Sequence, residues 1–265
     1  MVAIRYNFLI WRLRGVEHVI TCFTSGGKGG TGKTTLSSLL ALGCSAAGYR
    51  ALLVDACSEG GATTSLLGGA PGPYLRDVLE GSAQLVEAVQ VYSLPLGEEE
   101  LDFYLLPNRG PLPSVSLEGF VEQLRRLADK YFDLVLIDMP AYQDPWYEEF
   151  LQRSDVVVKV VEPNPAAVAA GIVAWPPGVG DGDPLVVYAL NQPRPYPKSV
   201  VKEFLDDLRR RFGKEAVVTV PYDYAASRIS PEMLGQVLSH VSDEFQDALY
   251  ELAQRIIRPR EGAAP

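Results

Sequence analysis

The chain has 265 residues, within range for one large α/β unit, with 33 acidic against 24 basic side chains and a formal net charge of −9. That balance is not the charge footprint of a nucleic-acid binder, and no run of about eighteen uncharged apolar residues is present to span a bilayer. Cys22, Cys44 and Cys57 show no Cys-x-x-Cys spacing, which argues against a zinc site, a disulfide framework or an iron–sulfur cluster and points to a reducing cytoplasmic compartment.

Taken in chain order, residues 1–14 alternate Ile4, Tyr6, Phe8 and Ile10, which predicts an added edge strand or clasp, with a membrane or partner anchor as the other reading. Their charges are wrongly placed for a signal peptide. Glu17–Thr24 is an apolar strand and Thr35–Gly43 an apolar helix. Ala51–Asp55 is a strand ending in a carboxylate. Leu75–Val89 carries a broad apolar face and predicts one helix. Asp102–Pro107 is a strand, Leu117–Tyr131 an amphipathic helix, and Phe132–Asp138 a second strand ending in a carboxylate. Ser154–Glu162, Pro184–Asn191 and Ala216–Pro221 are further strands, with a short helix at Ala166–Ala174 and a final one over Ser242–Arg258. The Pro/Gly-rich stretch 175–184 and the connector 192–197 do not divide the chain, because a strand of the same sheet lies between them. Alternating helices and apolar strands predict a mostly parallel twisted sheet with helices on both faces and the ligand edge at the strands' C-terminal ends. We expect a single domain over residues 15–260, an N-terminal extension over 1–14 and a disordered tail over 261–265.

Between the first strand and first helix lies Ser25-Gly-Gly-Lys-Gly-Gly-Thr-Gly-Lys-Thr-Thr35. It contains the phosphate-loop pattern G-x-x-x-x-G-K-[ST] as Gly27 to Thr34, in the strand–loop–helix setting that gives the pattern meaning. Successive backbone N–H groups can cradle a triphosphate. Gly27, Gly29, Gly30 and Gly32 keep the loop thin, and the helix N-terminus adds partial positive charge. Thr31 and Thr35 complete the phosphate-binding run. Lys33 is placed for the β- and γ-phosphates and the Thr34 hydroxyl for Mg²⁺. Asp138, at a strand's C-terminal end, is the candidate for holding Mg²⁺ through water, with Asp55 supporting the same metal shell. The plainer reading of either aspartate is a cap on the following helix.

The extra lysine, Lys28, makes the run resemble the deviant Walker A motif of the ParA/MinD family, and the resemblance extends from about Val16 to the C-terminal helix. It implies a P-loop ATPase fold, ATP and Mg²⁺ as cofactors, and a homodimer formed on ATP binding in which Lys28 reaches the partner's phosphates. It also implies an adenine site in which Asn191 reads the base edge and Pro221 and Asp223 close over the ring. Lys28 and Lys33 would then be the catalytic lysines. Without the resemblance, Lys28 is another cation for its own subunit's phosphates and Asn191 a turn residue.

One position departs from the family pattern. Where a second aspartate would orient the attacking water, the ungapped match places Cys57, in Asp55-Ala-Cys57-Ser-Glu59. A thiol with an ordinary pKa of about 8.5 positions water poorly, so hydrolysis is expected to be slow, with Glu59 as the carboxylate that could reach in. The implied function is an ATP-dependent dimerisation switch of the ParA partition type, with non-specific DNA and a partition partner protein as partners. The alternatives are a MinD-like positioning ATPase at a membrane or protein partner, a nearly non-hydrolysing ATP-binding interaction protein, and a small-molecule synthetase or ligase on the same fold. Arg209–Arg211 with Lys214, and Arg255, Arg258 and Arg260, are the candidate DNA contacts, although such a run on a helix usually marks a solvated face. The acidic face of the last helix argues against membrane contact.

Overall fold

The computed structural model of the protein describes residues 18–57, 61–96, 99–141, 146–173 and 183–257. The expected strand within 1–14, Glu59, most of the 175–184 stretch, Arg258, Arg260 and the tail 261–265 lie outside them.

The strands are β1 (Val19–Thr24), β2 (Ala51–Asp55), β3 (Gln90–Leu96), β4 (Glu99–Leu106), β5 (Leu134–Asp138), β6 (Val156–Val161), β7 (Leu185–Asn191) and β8 (Val217–Val220). They form one sheet in the order β3-β4-β2-β5-β1-β6-β7-β8. Every pairing is parallel except β3 with β4, which is antiparallel at one edge. The central strands are short runs of Val, Leu and Ile buried on both faces, as parallel strands under two helical layers must be.

Helices α1 (Lys33–Ala46), α9 (Leu234–His240) and α10 (Asp243–Ile257) cover one face of the sheet. The other face is covered by α3 (Leu75–Leu79), α4 (Leu85–Ala88), α5 (Glu118–Tyr131) and α6 (Tyr147–Arg153), and farther along by α7 (Pro165–Val173) and α8 (Lys198–Phe212). The short α2 (Ala62–Leu66) follows β2. Leu36, Leu39, Leu40 and Leu42 of α1 are almost fully buried, each contributing about 1.5–3 kcal/mol. This fixes the helix against the sheet and holds the loop before it in place.

The element order and the mostly parallel sheet match the sequence reading, with three local differences. The expected helix over 75–89 is two short helices, because Gly81 between them sits at φ +76° and each half has its own N-terminal cap. Tyr74 N–H donates to Asp77 Oδ2 (2.8 Å) and Gln84 N–H to Glu87 Oε2 (3.3 Å). The segment after it, Gln90–Leu96, forms the antiparallel edge strand. Tyr92 and Leu94 pack there against the core while Val91 and Ser93 face solvent. Finally, α2, α6 and α9 are too short for a periodicity argument to find, and the 15-residue α8 fills a stretch with no helix bounds in the sequence reading.

Candidate functional site

Strand β1 runs between β5 and β6, so the loop that follows it leaves the sheet beside Asp138, which lies in register with Phe23. The loop holds itself together. Ser25 Oγ donates to the Lys28 carbonyl (2.6 Å) and Gly26 N–H to Thr24 Oγ1 (3.2 Å). Gly27, Gly30 and Gly32 take positive φ, whereas Gly29 does not. Gly32 is constrained on both counts. Its φ is +85°, and a Cβ there would stand 2.4 Å from Asn191 Nδ2. Helix α1 then starts at Lys33 with no side-chain cap and no acidic residue in its first turn, which leaves its N-terminal N–H groups for an anion. The two lysines separate: Lys33 is buried at 8% exposure and Lys28 is exposed on the loop.

The two strand-end carboxylates are register partners, Asp55 on β2 opposite Asp138 on β5, and both are fully buried. Asp138 Oδ2 accepts from Thr34 Oγ1 (2.7 Å), Thr63 Oγ1 (2.7 Å) and the Cys57 thiol (3.5 Å). Its Oδ1 is buried with no hydrogen-bond partner among the described residues. Burial raises the Asp138 pKa, and Lys33 together with the Thr34, Thr63 and Cys57 donors pulls it back. Asp55 Oδ2 accepts from both the N–H and the hydroxyl of Thr64 (2.7 Å each), and Oδ1 from Cys57 N–H (3.0 Å). Burial and then the Asp138 charge push the Asp55 pKa up to about 7. Cys57 is raised by burial first and then by both carboxylates, so its sulfur stays a neutral thiol that donates. A buried acceptor left open, beside a threonine hydroxyl, is a donor set of hard oxygens that fits Mg²⁺. Thr34 and Asp138 are the residues that would hold it, with Asp55 bracing the loop behind them.

On the other side of the loop a cleft of about 290 Å³ is lined by Gly30, Gly32, Thr35, Asn191, Pro193 and Asp223, among others. Asn191 Nδ2 donates to the Thr31 carbonyl (2.7 Å), so this side chain ties the end of β7 to the phosphate loop. Asp223 accepts from the backbone N–H of Ala226 (2.9 Å) and of Ser242 (2.8 Å), which joins the turn after β8 to the start of α10. Pro221 follows β8 and is half-buried outside the cleft's lining.

The sequence reading missed Thr63 and Asn108. Asn108 is fully buried just past β4. Its Nδ2 donates to the carbonyls of Cys57 (3.1 Å) and Gly110 (3.1 Å), and its N–H to Thr64 Oγ1 (3.0 Å). Gly61 packs against the same point, where a Cβ would lie 2.1 Å from the Asn108 carbonyl oxygen. The available signal was Gly61-Ala-Thr-Thr64 after a strand-end aspartate, two hydroxyls next to a carboxylate. Tyr147 of α6 also reaches the loop, where its hydroxyl is hydrogen-bonded to Thr24 Oγ1. Three of the candidate basic residues meet acids. Arg210 and Arg211 pair with Asp207 (3.4 and 2.9 Å), and Arg255 with Glu215 and with Glu251 (3.1 Å).

A glycine loop between strand and helix, with a buried lysine and two strand-end carboxylates at the C-terminal edge of a mostly parallel sheet, defines a P-loop nucleotide-binding fold. A family model described as an AAA domain matches residues 18–174. The chain belongs to that family, as a ParA/MinD-like P-loop ATPase. It is similar to an uncharacterized ATP-binding protein of Methanocaldococcus jannaschii, 28% identical over 179 residues, 63% of this chain and 62% of that protein. The match thus spans less than two thirds of that relative. Among solved structures it resembles the septum site-determining protein MinD of Pyrococcus horikoshii complexed with Mg-ADP. The identity is 21%, the TM-score 0.63, and the coverage 90% of this chain and 96% of that one. It also resembles pNOB8 ParA bound to nonspecific DNA, at 18% identity and TM-score 0.65, covering 90% of this chain and 98% of that one. At these identities the likeness is one of fold. No helix among the described residues is long and apolar enough to cross a membrane.

Proposed function

We propose that the chain binds ATP with Mg²⁺ and uses it as an ATP-dependent dimerisation switch of the ParA type, with slow hydrolysis. The separation of the two lysines carries this reading. Lys33 is buried beside Asp138, committed to its own subunit's phosphates, while Lys28 is exposed on the outer side of the same loop and free to meet a second copy. Thr34 and Asp138 hold the cation, which neutralises phosphate charge when bound. The cleft between Thr35 and Asn191 takes the base. Slow hydrolysis follows from Cys57, whose neutral thiol already donates to Asp138 and accepts no proton from a water.

Lys28→Ala should bind ATP yet stay monomeric with ATP–Mg²⁺ in sedimentation velocity, whereas the wild type becomes a dimer. A wild type that stays monomeric at saturating ATP–Mg²⁺ would overturn the switch. A second reading, a MinD-like ATPase with a protein partner instead of DNA, is favoured by the arginines. Arg210 and Arg211 share the Asp207 carboxylate and Arg255 meets Glu215 and Glu251, on a chain of net charge −9. Anisotropy of a labelled random-sequence duplex separates the two. Salt-sensitive, ATP-dependent binding supports the DNA partner, and none at low salt supports the protein partner.

A further inference from the structure

We propose that Cys57 and Asp138, with Asp55 beside them, form a binding site for a thiophilic divalent cation such as Zn²⁺ or Cd²⁺. The ligand atoms of these three buried residues all lie within 4.8 Å of one another, the one such cluster among the described residues. Cys57 Sγ stands 3.5 Å from Asp138 Oδ2. Sulfur at about 2.3 Å and oxygen at about 2.1 Å on a tetrahedral ion are about 3.6 Å apart, so the metal fits where the thiol proton now lies. An independent observation points to a ligand. Asp138 Oδ1 is buried without a partner among the described residues, and such groups call for an explanation.

The surroundings suit a cation. Two fully buried carboxylates face it, and Thr34 and Thr63 donate to Asp138 Oδ2 at 2.7 Å each, while Thr64 and Cys57 N–H orient Asp55. Bonds of this kind behind a ligand set its orientation. Binding exchanges protons for the metal: the Cys57 S–H bond breaks, a metal–sulfur bond forms, and that proton, with any that Asp55 or Asp138 carries, goes to solvent with no change of oxidation state. A carboxylate at position 57 would offer only a hard oxygen; the thiolate gives the site its preference for soft cations over Mg²⁺. A cation held there occupies Asp138 and so competes with Mg²⁺–ATP, a consequence that rests on the function proposed above. The ligation itself does not.

The test is a titration of Cd²⁺ into the full chain without nucleotide, following the ultraviolet sulfur-to-cadmium charge-transfer band. We expect one Cd²⁺ per chain and a band lost in Cys57→Ser and retained in Cys22→Ser. No band, or a band that survives in Cys57→Ser, would overturn the site. If Cys57→Ser does not fold, the double variant Cys22→Ser/Cys44→Ser decides instead, because Cys57 is then the one thiol left and the absence of a band overturns the proposal. A parallel arm measures a fluorescent ATP analogue with Mg²⁺. Displacement by Zn²⁺ in the wild type but not in Cys57→Ser supports competition, and its absence overturns that consequence. Failure of the analogue to bind any variant overturns the ATP reading and leaves the cadmium band to decide the metal site.

Discussion

The two sides of the glycine loop are built in opposite ways, the carboxylate side proposed for phosphate and cation and the cleft side proposed for the base. At the phosphate end polar groups converge on a point that is still open. Among the described residues Asp138 keeps one oxygen unpartnered, Lys33 is buried beside it, and the start of α1 carries no side-chain cap. At the base end the polar side chains are already spent on backbone. Asn191 Nδ2 holds Thr31, and both Asp223 oxygens hold N–H groups. The first arrangement awaits charge from a ligand. The second shapes a cleft, so we expect it to contribute fit more than hydrogen bonds.

The largest effect should come from the phosphate end. Lys33→Ala removes the buried cation beside Asp138 that the proposed function assigns to the phosphates. A charge-assisted hydrogen bond is worth about 1.5–3 kcal/mol, so ATP affinity should fall by about 10- to 150-fold. Calorimetric titration of ATP–Mg²⁺ reads this directly, and an affinity within twofold of wild type would show that the open point is not the phosphate site. Gly32 is where the two ends meet. Gly32→Ala must hold φ near +85° and push Asn191 Nδ2 away from a Cβ at 2.4 Å. Strain and displacement together should cost about 2–3 kcal/mol and loosen the Asn191–Thr31 tie. Both melting temperature and ATP affinity should drop; a fall in one alone would mean that the ends are not coupled through this contact.

The opposite signature is expected at the base end. Asp223→Ala leaves Ala226 N–H and Ser242 N–H without their acceptor. The loss should be about 2 kcal/mol, seen as a melting temperature lower by roughly 4–8 °C, with ATP affinity changed by less than about threefold. The comparison breaks if Asp223→Ala melts like the wild type and binds ATP much more weakly, because the carboxylate would then be reading the nucleotide.

This asymmetry also explains what could be read from the sequence. The loop, Lys33, Thr34 and the two strand-end aspartates are legible because local spacing on a strand–loop–helix unit dictates them. Thr63 and Asn108 are not, since Thr63 meets Asp138 across 75 positions and Asn108 meets the Cys57 carbonyl across 51. No local pattern encodes such closures. The double anchoring by Asp223 was hidden for the same reason, one of its partners being 19 residues on. The split of 75–89 had a signal in Gly81, outweighed by the apolar face on either side. The exposed side chains of Val91 and Ser93 likewise concealed an edge strand whose other face is packed.

The smallest expected effect lies between the two ends. Lys159 of β6 is in register with Thr24, where the phosphate loop begins, and with Tyr188 of β7 on the base side, and its ammonium lies 5.6 Å from the Tyr188 ring centroid. Burial lowers its pKa from the ordinary 10.5 to about 8. Between those values the unfolded chain binds a proton that the folded chain does not, so stability rises with pH through this window. Below about pH 8 both states carry the charge and the folded one bears the full cost of burying it. Lys159→Met should therefore raise stability at pH 7, on the order of 1 kcal/mol, and flatten the rise between pH 8 and 10.5. Urea unfolding of both proteins at pH 7 and pH 10 reads the difference. A Lys159→Met protein that is less stable at pH 7 would mean that this ammonium links the two sides as an interaction the fold depends on, and that they are coupled through β6 as well as through Asn191.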